Sequence, residues 1–181
     1  MVAGIFGTIG KLRCLESTWA KHLAAPLGTK APLKRFHMYD CFNSIGEFTG
    51  WSRTETDYFC HQLQTETIES GVSAYGMACA RKDWDELVTG DMRAALGNPE
   101  GQCVRNCFVK TIGWAQANTF APQMNFIFDT RPSQTTRDAR VVFDAFKEWV
   151  VAPQLVGIEF HSSYTTRLLQ VADMKIGRAH V

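Results

Sequence analysis

Short apolar runs alternate along this chain with longer segments whose apolar residues recur at helical spacing. That alternation confines it to layered folds of sheet and helix. The runs at 2–6, 72–81 and 156–160 read as strands, as does 125–128, which ends on the charge of Asp129, the pattern of a buried strand. A further short strand is predicted to end near Asp40, after 32–38. Between them, Ser17 is placed to cap a helix over 18–27 closed by Pro26 and Gly28, and Ser52 or Thr54 starts a helix that Gly71 stops. A short helix follows at 82–88, then a polar loop at 89–101. Val104, Cys107, Phe108, Ile112 and Ala115 mark an amphipathic helix over 102–118, and Val142, Ala145, Phe146, Trp149 and Val150 another over 137–151. With 181 residues, no repeat and no low-complexity linker, the chain reads as one α/β layered domain over 1–175.

The two ends read as interrupted. A strand on the first residues predicts that the amino end is cut, and the apolar helical turn 168–174 breaks off at Met174. Ile176-Gly177-Arg178-Ala179-His180-Val181 back-translates as ATC GGA AGA GCA CAC GTC, one frame of a widely used sequencing adapter, and the adapter's preceding AG completes an AAG codon for Lys175. Residues 176–181 are therefore predicted to be a non-native tail.

Composition sets broad limits. The 45% hydrophobic and 20% charged content is that of an ordinary globular protein. No run approaches the roughly 18 to 20 apolar residues of a membrane span, and 1–7 lacks the basic start and cleavage site of a signal peptide. A cytoplasmic location is the default expectation. Net charge is +1, or 0 without Arg178 of the tail, so bulk charge makes no case for nucleic acid. The six cysteines form no CxxC pair, and buried reduced thiols are expected; Cys103 and Cys107 share a helical face but nothing nearby completes a zinc set.

Two carboxylates stand out. Asp129 closes a strand, where α/β sheets bind ligands, and Asp173 sits in the apolar turn Leu168-Leu169-Gln170-Val171-Ala172. Clustered carboxylates can hold divalent cations, and two ions about 4 Å apart stabilise a phosphodiester displacement. The same residues also suit structural roles, Asp129 opening the turn 129–132 and Asp173 pairing with an arginine. His37 and Asp40 form a second pair, His37 as proton shuttle or ligand and Asp40 as a further metal carboxylate, although a histidine between Phe36 and Met38 also suits a core position. His161 is a weaker candidate of the same kind. Phe48 and Trp51 can stack on a base or close their glycine-punctuated loop onto the core, and packing is favoured. No GxSxG elbow, P-loop or dinucleotide motif is present.

Val2-Ala3-Gly4-Ile5-Phe6-Gly7, Phe36-His37-Met38-Tyr39-Asp40, Gly46-Glu47-Phe48-Thr49-Gly50-Trp51, Phe128-Asp129 and Leu168-Leu169-Gln170-Val171-Ala172-Asp173 occur in the order of the family called domain of unknown function 3800. The chain resembles that family over nearly all of 2–174. The resemblance implies a ribonuclease-H-like fold, a mixed central sheet flanked by helices, and phosphodiester chemistry on nucleic acid with Mg²⁺ or Mn²⁺. By position it implies Asp129, Asp173 and Asp40 as metal ligands and His37 beside them. Members usually begin with a strand ending in Asp-Glu-Ser-Gly, which this chain lacks, so the fold is expected without its first strand and the fragment is expected to be inactive and poorly soluble. The alternative is a non-catalytic module of the same fold that holds nucleic acid or a partner protein.

Overall fold

The computed structural model describes residues 2–28, 30–117, 123–130, 134–148 and 155–177. They form a mixed α/β chain in two compact units, one of residues 1–3 with 75–161 and one of residues 4–74 with 162–181. The described strands make two sheets of two strands each, β1 (Val2–Phe6) with β2 (Ser73–Met77) and β3 (Met124–Asp129) with β4 (Leu155–His161). A single mixed central sheet was the expectation; among the described residues the strands divide between these two pairs instead.

The unit of residues 4–74 and 162–181 is largely helical. Its first helix, α1 (Ile9–Ala24), starts a full eight residues before the expected Ser17 cap. Thr8 caps it by accepting from the Lys11 N–H at 3.4 Å, and Leu15, Trp19 and Leu23 give it a buried stripe at a spacing of four. Ser17 is an exposed mid-helix residue. The expected strand ending near Asp40 is also corrected: His37 is the N-cap residue of a short helix, α2 (Met38–Asn43), which ends on Ser44 in the left-handed region at φ 50°. A 3-10 turn, Gly46–Phe48, leads to α3 (Arg53–Glu69), which begins at Ser52 with a complete capping box to Glu55 and ends before Gly71 at φ 65°. The last helix, α8 (Arg167–Gly177), includes the first two residues of the expected non-native tail; residues 178–181 lie outside the described residues.

Its core is aromatic. The Phe36 ring meets Trp19 edge-on at 5.8 Å and Phe48 at 6.0 Å, and Trp51 meets Phe48 at 5.1 Å and Phe59 at 5.5 Å. Phe48 and Trp51 are therefore packed, as favoured above, and both are buried. Leu63, Val171 and Met174 join the same cluster, with Ile5, Val72 and Leu168 along its margin.

The unit of residues 1–3 and 75–161 holds α4 (Arg81–Leu87), α5 (Gly90–Leu96), α6 (Pro99–Ala117) and α7 (Gln134–Glu148) with the second sheet. The expected loop 89–101 holds α5 and the start of α6. Asn98 accepts from the Gly101 N–H at 2.7 Å and Pro99 occupies the first helical position, where its missing N–H costs nothing, so α6 begins three residues before the expected 102. Asn118 and the expected end of α7 at 149–151 lie outside the described residues. β3 and β4 run parallel, with α7 as the connection, and Asp129 is in register opposite His161. Phe108 of α6 packs on Phe126 at 4.3 Å and on Phe128, Phe143 and Phe146 at about 6 Å, joining both helices to the sheet. No helix among the described residues is long and apolar enough to cross a membrane.

Candidate functional site

Three of the four residues singled out by sequence meet in the helical unit. Residues 31–37 run without regular structure into α2, which leaves backbone N–H groups needing acceptors at its start. Helix α8 supplies them: Gln170 Oε1 accepts from the Phe36 N–H at 2.9 Å and Asp173 Oδ2 from the Met38 N–H at 2.9 Å. The two acceptors sit three residues apart on one helix face, and the two donors are alternate residues of the chain leading into α2. Gln170 is fully buried and also donates to the Ser163 carbonyl at 2.7 Å, so its amide is satisfied at both ends.

His37 lies between the two carboxylates. Its Nε2 is 3.8 Å from Asp173 Oδ2 and its Nδ1 is 3.1 Å from Asp40 Oδ1. The shorter approach is a near contact and not a hydrogen bond, and the buried Nδ1 has no hydrogen-bond partner. Asp40 Oδ2 is paired with Arg35 at 3.4 Å, and the Arg35 guanidinium lies over the ring of Tyr164 at 4.1 Å. The imidazole is 38% exposed, against 22% for Asp40 and 25% for Asp173, so a solute can reach the ring more readily than the acids beside it.

Asp129 belongs to the other unit, at the carboxyl end of β3, where the Thr130 N–H donates to the His161 carbonyl at 2.8 Å. His161 itself approaches Glu159 at 2.8 Å. Arg131 and Pro132, which would complete the turn expected after Asp129, lie outside the described residues. Arg35 and Gln170 went unread in the sequence. Gln170 had a signal, its position three residues before Asp173 in an otherwise apolar turn.

The donor set is poorly suited to a divalent ion. Asp40 spends one oxygen on Arg35 and sets the other beside His37, and Asp173 spends Oδ2 on a backbone N–H. Hard cations need several oxygens free of such partners. Among the described residues no group of three or more His, Cys, Asp or Glu side chains is disposed to hold a metal ion. The arrangement does not fit Mg²⁺ or Mn²⁺; it fits a histidine held among carboxylates. The expectation of buried thiols holds for Cys41, Cys60 and Cys103, whereas Cys14 is exposed and Cys79 and Cys107 are half-buried; burial raises the pKa of Cys103 and pushes Cys107 up to about 11. Comparison of the chain with protein families, curated proteins and solved structures finds no match.

Proposed function

We propose that this chain acts on nucleic acid, with His37 moving a proton in phosphodiester cleavage or a related phosphoryl transfer, within a ribonuclease-H-like protein of the kind called domain of unknown function 3800. The observation that supports this reading is the meeting of His37, Asp40 and Asp173, brought together from opposite ends of the chain, with the imidazole the most exposed of the three. A general acid or base has to be within reach of its substrate, and of these three side chains the imidazole is the most accessible. The substrate class comes from the resemblance. Labelled single- and double-stranded DNA and RNA, incubated with the protein in EDTA, Mg²⁺ or Mn²⁺, test it directly. In whichever of these conditions cleavage is seen, His37→Ala should slow it by roughly 10²- to 10⁴-fold, the usual worth of a positioned acid or base. Cleavage unchanged in His37→Ala removes the assignment.

A second reading, a non-catalytic module that holds nucleic acid or a protein, is favoured by the use of Asp173 and Gln170 to satisfy the backbone ahead of α2. Binding of the same oligonucleotides with no cleavage under any of the three conditions would select it. Mg²⁺- or Mn²⁺-dependent cleavage that is lost in Asp129→Asn would instead return Asp129 to a metal-binding role.

A further inference from the structure

A second chemical feature lies beneath α2, where its Cys41 faces Cys60 of α3 with the two sulfurs 3.5 Å apart. Both side chains are buried, and no disulfide joins them. They line a cavity of about 260 Å³ whose wall also carries Met38, one helical turn before Cys41, together with the Arg53 and Asp57 ion pair. The two cysteines and Met38 thus border one space.

We propose that Cys41, Cys60 and Met38 form a binding site for one soft monovalent metal ion of the Cu(I) type. Taking the metal–thiolate bond of about 2.3 Å known for zinc as a yardstick, sulfurs 3.5 Å apart subtend an angle of about 100° at a shared ion, so the pair needs to open by only about half an ångström to reach the trigonal angle of a three-coordinate ion. A pair of thiolates with a thioether is a soft donor set, which selects Cu(I) over ions that prefer oxygen. Binding replaces both thiol protons: two S–H bonds break, two sulfur–metal bonds form, two protons leave, and the bound group carries one net negative charge. The neighbouring thiol and burial both push the Cys41 pKa up, so the empty site holds protons that the metal must displace, and the release is measurable. This site shares α2 with His37 and Asp40 but none of their side chains, and it stands independently of the nucleic-acid reading.

Anaerobic titration of the reduced protein with Cu(I), buffered by a chromogenic competing chelator, tests the inference. One ion per chain should be held against the competitor, with about two protons released per ion as both thiols ionise. Cys41→Ala and Cys60→Ala should each abolish that first equivalent, while Cys14→Ser, on an exposed cysteine, should leave it intact. Met38→Leu keeps the buried volume and should weaken binding by roughly tenfold or more while circular dichroism stays unchanged. Zn²⁺ at the same ratio should be held less tightly. The inference is overturned if the first equivalent survives in both alanine variants, or if Met38→Leu folds normally and binds Cu(I) as tightly as the parent.

Discussion

Glu55 ties three things together at the start of α3. One carboxylate oxygen accepts from the Ser52 N–H at 2.7 Å and from the Ser52 hydroxyl at 2.9 Å, and the other pairs with Lys30 at 3.0 Å. Lys30 in turn lies 5.4 Å from the centre of the Trp51 ring. These donors favour the ionised carboxyl, the Ser52 N–H most, and hold its pKa from an ordinary 4.5 down to about 2. A carboxyl with a depressed folded-state pKa binds its proton less readily there than in the unfolded chain. Its stabilisation is therefore complete above about 4.5 and is lost as pH falls towards about 2. Glu55→Gln keeps an acceptor for the capping box but removes the titration, so it should flatten the acid limb of the stability profile across that window. Urea midpoints measured from pH 6 down to pH 2 read this directly, and superimposable acid limbs for parent and variant would refute it.

At the scale of elements, what could be read in the sequence was what the sequence decides locally. Helix α3 was legible because Ser52 and Glu55 stand at capping-box spacing, and α6 because its apolar residues keep one face. The start of α1 was misplaced because Ser17 and Thr8 are both good caps, and only packing of Leu15 beside Trp19 chooses between them. The strand expected before Asp40 became α2 for a non-local reason: the acceptors for Phe36 and Met38 come from Gln170 and Asp173, more than 130 residues along the chain. The same distance explains the site. His37, Asp40 and Asp173 were visible as residue types, whereas their convergence, the ion pair of Arg35 with Asp40 and the double role of Gln170 depend on how α8 docks. That docking predicts a contrast between two neighbouring positions of α8. Gln170→Leu removes the acceptor of the buried Phe36 N–H and should cost about 1–3 kcal/mol. Asp173→Asn retains an oxygen for the Met38 N–H and should cost under about 1 kcal/mol, as one acceptor replaces another. Equal losses in chemical denaturation would mean that the charge of Asp173, and not its hydrogen bond, holds α8 in place.

At the scale of the molecule, most buried apolar residues among those described fall into two clusters with no member in common, one built on Trp19, Phe36 and Phe59 and one on Phe108, Phe143 and Ile158. Each unit thus has its own centre of cohesion, which is the condition for regions of a chain to open separately. Leu63 is fully buried in the first cluster and Ile112 lies in the second. Leu63→Ala removes three carbons and leaves a cavity, a loss of about 2–5 kcal/mol, and Ile112→Val removes one, a loss of about 0.5–1.5 kcal/mol. Native-state hydrogen exchange resolves where each loss is felt. Leu63→Ala should speed exchange along α1 and α3 and leave the amides of α6 and β3 near their parent rates. Ile112→Val should do the reverse, on a smaller scale. Exchange that quickens uniformly through both units after either substitution would show that the chain opens as one cooperative body, with its two clusters acting as a single core.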